Sequence, residues 1–238
     1  MSKSDDFFPE FPLAWEMSTA EQFTLVGLLS RLRPEVAIEI GTHFGGSLQV
    51  LAAFCPLVHS IDIDPGVRDQ LAPQWPRVRF HTGPSHEKIP EVLAAIDGGH
   101  ERLGFVLVDG DHTAQGVRAD IAALLRHRPR TTVHVVLHDS FNPDCRRGMR
   151  LAAWSECPYV HAVDLDFVPG GFHLEPQGGA FARSMWGGFA HAVLQPEPRS
   201  TPLVIRDAQE AMHRIVFRHS AHRFWHKLVR RLRRTAGR

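Results

Sequence analysis

Apolar and polar residues alternate along most of the chain in blocks that predict short strands separated by helices. Five apolar or alternating runs predict strands at residues 36–40, 57–62, 77–82, 104–108 and 132–137. Between them, apolar residues recur three and four positions apart, as they do on one face of a helix. Apolar strands joined by helices predict a doubly wound α/β fold with a mostly parallel sheet covered on both faces.

Two late runs, at residues 159–167 and 185–194, predict two further strands and thus a seven-stranded sheet of the Rossmann-like type. Glycine and proline clusters separate these late runs, and a proline-rich linker follows them. We therefore divide the chain into three parts, with boundaries at residues 1–34, 35–195 and 196–238. The first is an arm with a cover helix, the second the sheet domain, and the third a linker with helices at about 206–218 and 220–234.

The cover helix has a clear start. Ser18 and the Glu21 three residues later form a capping-box pattern, which predicts a helix running to about residue 31. Its apolar positions predict a buried side, which we expect to contain Phe23, Val26, Leu28 and Leu29.

The first predicted strand runs into a glycine-rich turn, Glu-Ile-Gly-Thr-His-Phe-Gly-Gly-Ser at residues 39–47. Gly41 and Gly45 allow a tight turn, and Ser47 can cap the helix that follows. The exposed backbone N–H groups of such a turn suit an anionic or polar small molecule. Glu39 suits a cationic group, such as the ammonium of an amino acid. The spacing differs from the G-x-G-x-x-G fingerprint of dinucleotide binding.

Acidic and polar residues follow the other predicted strands where each one ends. In a doubly wound sheet these ends lie together, and ligands bind there. Asp62 ends the second strand, where a carboxylate can accept hydrogen bonds from both hydroxyls of a ribose. Ser85 follows the third strand, where a hydroxyl can border an adenine.

The fourth and fifth strands are followed by candidate metal ligands and a candidate base. Asp109 and Asp139 come after adjacent strands, so their carboxylates could share a hard cation such as Mg²⁺. A metal-bound hydroxyl has a lowered pKa, and a nearby base could then remove its proton. His112 and Asp111 are the candidates. Asp111 would need a raised pKa, or would instead orient His112.

These motifs resemble those of the class I S-adenosylmethionine-dependent methyltransferases, over roughly residues 18–194. The glycine turn resembles their first motif, and the ribose acid and the adenine-side loop follow in the same order. The resemblance implies that S-adenosylmethionine is the cofactor. The residues that would bind it are Glu39, Gly41, Thr42, Gly45, Ser47, Asp62, Ser85 and Asp109.

The second half of the domain resembles the metal-dependent O-methyltransferases that act on sugar hydroxyls of antibiotics. In that group the Asp-Gly-x-x segment after the fourth strand supplies a metal ligand and a base, which here implies Asp109 with Asp111 or His112. An acidic pair after the fifth strand supplies further ligands. Here the pair is Asp139 and Ser140, so the second acid is missing. Either His138 or Asn142 compensates for it, or the metal site is weak or absent. The resemblance implies a hydroxylated small molecule, such as a sugar or a glycosylated metabolite, as the methyl acceptor.

Charge is distributed unevenly. The chain has 27 Lys and Arg against 26 Asp and Glu, yet residues 214–238 contain nine of the basic residues and none of the acidic ones. This basic segment is amphipathic. It is compatible with an anionic membrane surface, a partner protein, nonspecific contact with nucleic acid, a second copy of the chain, or packing on the acidic body. Nucleic acid as a substrate is disfavoured, because no RNA-binding motif accompanies the charge.

Three cysteines without paired or zinc-type spacing, and an N-terminus without a signal pattern, favour a cytoplasmic protein, with peripheral membrane contact through the basic segment as an alternative. Two other functional classes stay open. A nicotinamide-dependent oxidoreductase would share the sheet, but this sequence lacks the G-x-G-x-x-G fingerprint of that class. A non-catalytic adaptor would keep the fold and dock through the basic segment, and Ser140 is the best support for it.

Overall fold

The computed structural model describes residues 7–173 and 183–222, in which an open sheet is covered by helices on both faces. The helices are α1 Thr19–Leu32, α2 Gly46–Phe54, α3 Pro65–Leu71, α4 Ser85–Gly98, α5 Ala114–Leu124, α6 Pro143–Leu151 and α7 Glu210–His219. The strands are β1 Val36–Ile40, β2 Leu57–Asp62, β3 Val78–Thr82, β4 Leu103–Val108, β5 Val133–His138, β6 Val160–Val168, β7 Gly171–His173, β8 Ser184–Trp186, β9 Phe189–Leu194 and β10 Ile205–Arg206.

The main sheet has the order β10-β6-β9-β5-β4-β1-β2-β3. Strand β9 is antiparallel to β5 and β6, and the remaining neighbours are parallel. The predicted doubly wound, mostly parallel fold is confirmed. The chain order reverses between β1 and β4, so the loops after these two strands border the crevice where ligands bind in such sheets. The backbones of these loops touch, because a Cβ on Gly41 would lie 2.0 Å from the carbonyl oxygen of Asp109.

The end of the sheet differs from the prediction in two places. The run at 185–194 is not one strand, because Gly187 and Gly188 have φ values of 72° and 83° and break it. Residues before the break form β8, which pairs with β7 in a separate hairpin. The predicted helix at 206–218 begins later, since Ile205–Arg206 adds an eighth strand beside β6.

The capping box of α1 is confirmed, with the Ser18 N–H donating to Glu21 Oε2 (2.6 Å). The buried face of the helix was predicted wrongly in part. Its buried residues are Glu21, Leu25 and Leu29, whereas Phe23 is 50% exposed. The ring of Phe23 contacts aromatic residues of the arm rather than the sheet. A polar residue thus takes a place on the sheet side that the apolar pattern could not reveal.

A buried ion cluster ties the last helix to the sheet. The side chain of Arg146 in α6 is 2% exposed and donates to Asp166 in β6 and to Asp207 and Glu210 around the start of α7. The predicted helix at 220–234 lies beyond the described residues except for its first three positions. Among the described helices, none is long and apolar enough to cross a membrane.

Candidate active site

The glycine turn after β1 is organised by a buried acid beneath it. Glu39 is 0% exposed, and its two oxygens accept hydrogen bonds from the hydroxyls of Ser47 (2.6 Å) and Thr42 (2.7 Å). Ser47 therefore does not cap α2 as predicted. The N-cap is Gly45, which has no side chain to donate or accept. Burial raises the pKa of Glu39 to about 7, and the two hydroxyls only partly offset this.

Asp62 holds the same turn from the end of β2. One of its oxygens, Oδ2, accepts the backbone N–H groups of Thr42 (2.9 Å) and His43 (3.1 Å). The other, Oδ1, accepts the N–H of Asp64 (2.9 Å). The side chain is half-buried, so a ligand in the crevice can still reach the carboxylate. Glu39, Thr42, Ser47 and Asp62, four of the residues predicted to bind the cofactor, thus lie around the same turn.

Ser85 begins α4 directly after β3, and its hydroxyl donates to Oδ1 of Asp120 in α5 (2.5 Å). Asp120 was not singled out from the sequence, because it lies within α5, whose pattern indicates only an amphipathic helix and no functional site. It is 1% exposed, and burial raises its pKa to about 6. The pair places a charged group behind the predicted adenine-side loop.

The loops after β4 and β5 meet in a second, charged cluster. The His138 ring lies between two carboxylates, with Nδ1 2.9 Å from Asp109 Oδ1 and Nε2 3.1 Å from Glu21 Oε1. Burial alone would lower the pKa of His138, but these two carboxylates hold it well above its usual value. Burial alone would raise the pKa of Asp109, yet the fields of His138 and His112 hold it at about 2.

His112 approaches this cluster from solvent. Its Nε2 lies 3.3 Å from Asp109 Oδ1 and 3.4 Å from Asp139 Oδ2, and 44% of its side chain is exposed. The hydrogen bond to Asp109 raises the pKa of His112. Burial raises the pKa of Asp139, although His138 opposes the shift. The ring of Trp186 packs edge-on at 5.6 Å from His112 and closes one side of the cluster.

Asp111 stands apart from this cluster. Its two oxygens accept hydrogen bonds from the backbone N–H (2.9 Å) and the hydroxyl (3.1 Å) of Thr113. Thr113 in turn caps α5 by accepting the N–H of Gly116. The Asp111 carboxylate therefore shapes the turn that leads into α5, while His112 faces the two acids.

Sequence reasoning missed two contributors to the cluster. Glu21 of the cover helix accepts the N–H of Gly188 (2.5 Å) as well as contacting His138. The N–H of Gly187 donates to Asp139 Oδ1 (2.6 Å). The Trp-Gly-Gly sequence at 186–188 suggests only a hairpin end, and Glu21 only a helix cap. Neither feature carries a signal of the partner, which lies far away along the chain.

The cluster contains a donor set for a metal ion. Asp109, His138 and Asp139 each offer one ligand atom, and these atoms all lie within 4.8 Å of one another. The two carboxylates fit a divalent cation. The imidazole of His138 does not, because both of its nitrogens already face carboxylates and its raised pKa keeps it protonated. Ser140 is buried on the far side, where Gly188 packs against its hydroxyl.

The comparisons with known proteins agree with this geometry. Residues 38–140 match the sequence profile of a family described as a methyltransferase domain. The profile therefore identifies residues 38–140 as a methyltransferase domain. The match decides between the two enzyme classes that the sequence left open, in favour of methyl transfer over oxidoreduction. No curated protein matches the chain.

Solved structures share the fold of this chain at low sequence identity. An O-methyltransferase from Bacillus cereus, solved in complex with SAH, is 18% identical. It aligns over 78% of this chain and 85% of its own, with a TM-score of 0.54. The O-methyltransferase TomG from Streptomyces achromogenes, involved in tomaymycin synthesis and solved with SAM, is 20% identical. It aligns over 75% of this chain and 81% of its own, with a TM-score of 0.51.

Proposed function

We propose that this methyltransferase transfers a methyl group from S-adenosylmethionine to a hydroxyl of a small molecule, such as a sugar or a glycosylated metabolite. The observation that carries the proposal is the arrangement of the sheet edge. A glycine turn held by Glu39 and Asp62 lies beside a cluster in which the half-exposed His112 faces two acids. One side suits a polar cofactor, and the other suits removal of a proton from an acceptor.

On the cofactor side, the chain supplies orientation. Bound S-adenosylmethionine supplies the electrophilic methyl carbon. Asp62, which keeps the turn closed, binds the ribose hydroxyls in this proposal. Glu39 is too buried to meet the ammonium group directly, so it acts by holding Thr42 and Ser47. Ser85 borders the adenine.

On the acceptor side, His112 accepts the proton of the attacking hydroxyl at Nδ1, because its Nε2 carries the hydrogen that faces the two carboxylates. The neighbouring carboxylates of Asp109 and Asp139 stabilise the imidazolium that forms. His138 and Glu21 keep Asp109 in place from behind. The ring of Trp186 packs edge-on against His112 on one side. Asp111, the alternative base, would have to leave Thr113 to take this role.

A divalent cation such as Mg²⁺ would be held by Asp109 and Asp139, the two carboxylates that fit it. When bound, it lowers the pKa of an acceptor hydroxyl and helps to orient it. The chain contributes the positions of the two acids, which the bonds from His138 and the Gly187 N–H maintain.

The deciding experiment is a calorimetric titration with S-adenosylhomocysteine, with Mg²⁺ and again with a chelator, followed by a screen of hydroxylated acceptors. We expect micromolar affinity in both titrations and turnover with at least one acceptor. No binding would contradict the proposed cofactor. Binding without turnover on any hydroxylated acceptor would favour the adaptor function instead.

We further propose that the basic segment binds an anionic membrane surface and gives the protein a peripheral location. Residues 223–238 contain seven Lys and Arg and no acid, and they follow directly after the described part of the chain. Co-sedimentation with vesicles containing phosphatidylserine should occur with the full chain. It should be lost at high salt, and equal binding to neutral vesicles would contradict an electrostatic mode.

A further inference from the structure

One buried carboxylate beside the cofactor crevice has no role in the chemistry described above. Asp120 projects from α5 towards the start of α4, where the Ser85 hydroxyl donates to its Oδ1 (2.5 Å). The carboxylate also lies beneath the loop after β4, since a Cβ on Gly110 would be 3.8 Å from its Oδ2. It therefore stands between the ends of β3 and β4, on the side where Ser85 borders the adenine.

The second oxygen of Asp120 is unusual. Oδ2 is buried and has no hydrogen-bond partner among the described residues. Leaving a buried carboxylate oxygen unpaired costs stability, and an amide or hydroxyl at this place would cost less. Buried polar groups without partners are rare in folded proteins, and each calls for an explanation. A purely structural tie between α4 and α5 would not need a charged group.

The charge has a consequence for Ser85. An ionised carboxylate can only accept hydrogen bonds, so the single hydroxyl proton of Ser85 must point at Asp120. The remaining lone pairs of the Ser85 oxygen can then only accept. Ser85 is half-buried at the sheet edge, so a ligand in the crevice can reach this oxygen. A ligand group that meets it must therefore be a donor.

We propose that Asp120 is a positioning residue that fixes Ser85 as a hydrogen-bond acceptor and thereby makes the site select a 6-amino purine over a 6-oxo purine. The inference rests on the proposed function, because it assumes that adenine lies at Ser85. The exocyclic amino group of adenine donates a hydrogen bond, which the Ser85 oxygen accepts. The oxygen of hypoxanthine at the same place would face another acceptor, and the site would lose a bond and gain a repulsion.

The test compares the calorimetric affinities of S-adenosylhomocysteine and its deaminated analogue, S-inosylhomocysteine. We expect the wild-type protein to bind the amino form at least about tenfold more tightly, as one well-placed hydrogen bond provides. Asp120→Asn offers both donor and acceptor atoms, so it no longer fixes the direction of the Ser85 hydroxyl. In this variant the preference should fall to within about threefold, and Ser85→Ala should behave alike.

Thermal unfolding of the same variants separates positioning from a structural role. Asp120→Asn should melt at or above the wild-type temperature, because it removes a buried charge. The control is Glu91→Gln, an exposed acid on the same helix as Ser85, which should keep the full preference. A wild-type protein that binds both ligands equally, or an Asp120→Asn variant that keeps the preference, would overturn the inference alone. Absence of any binding would overturn the proposed function as well.

Discussion

The two halves of the sheet edge are held together in different ways. On the cofactor side, hydroxyls and backbone N–H groups satisfy two acids, Glu39 and Asp62, over sequence separations of at most 20 residues. On the acceptor side, a protonated His138 links two acids, and its bond to Glu21 spans 117 residues. The cofactor side is therefore a local motif, while the acceptor side exists only once the cover helix has docked.

This difference assigns separate functions to the two sides. Binding of the nucleoside cofactor should depend on residues near the glycine turn and be insensitive to His112 and Glu21 of the charged cluster. Proton transfer, and much of the stability at this edge, should depend on the charged cluster. Four predictions test the separation.

The largest effect is expected for His112→Ala. Loss of a positioned base typically costs a factor of about 10² to 10⁴ in rate, so methyl transfer to the acceptor found by screening should fall by that range. The affinity for S-adenosylhomocysteine should not change. The wild-type rate should fall as the pH drops through a pKa above 6.5, because His112 must be neutral to accept a proton.

His86→Ala serves as the control, since His86 is an exposed histidine on α4 away from the cluster. A comparable rate loss in both variants, or full activity in His112→Ala, would remove His112 from the role of base.

Glu21→Ala should cost the next largest amount. It leaves Nε2 of the buried His138 cation and the Gly188 N–H without a partner, and breaking a buried ion pair typically costs about 3–5 kcal/mol of unfolding free energy. Urea denaturation measures this loss. The matched control is Glu35→Ala, whose exposed pair with Arg102 should contribute at most about 1 kcal/mol. Equal losses in the two variants would contradict a buried, structural ion pair at Glu21.

Asp62→Ala should weaken S-adenosylhomocysteine binding by about a hundredfold, because charged hydrogen bonds to the turn and to the ribose are lost together. Calorimetry measures the change, and Asp64→Ala is the control. Asp64 lies two residues on and only caps α3, by accepting the N–H of Gly66. Unchanged affinity in Asp62→Ala would take Asp62 out of the cofactor site.

The smallest effect is expected for the pH dependence of the free energy of unfolding, to which both halves should contribute alike. Two histidine pairs lie across neighbouring strands, His59 with His81 (3.0 Å) in the cofactor half and His134 with His191 (3.1 Å) in the acceptor half. Burial lowers the pKa of His59 and of His191 to about 4, and the partner histidine adds to the shift. The unfolded chain takes up these protons near pH 6.5, so acid favours unfolding.

The free energy of unfolding should therefore fall as the pH drops from about 6.5 towards 4. Urea midpoints at several pH values measure the slope. His191→Asn removes one titrating group and should flatten the dependence. An unaltered slope in this variant would show that the acid sensitivity arises elsewhere.

Much of the cofactor side could be predicted from the sequence, because its residues follow one another within two strands and a turn. The glycine spacing and the acid at the end of β2 together indicate the site. Ser47 shows the limit of this reasoning. A serine at a helix start suggests a cap, yet its hydroxyl satisfies a buried acid that the sequence places eight residues earlier. Only the fold shows that this hydroxyl donates to the acid and does not accept a backbone N–H of the helix.

By itself the sequence determined the parallel sheet, the glycine turn and the collection of acids at one edge. Hydrophobic periodicity identifies the strands, and the residues that follow the strands of a doubly wound sheet lie together. Only the tertiary structure decided the partners of those acids. Glu21 meets Gly188 across 167 residues and Asp120 meets Ser85 across 35. Buried charges require compensation, but spacing along a chain does not encode which distant group supplies it.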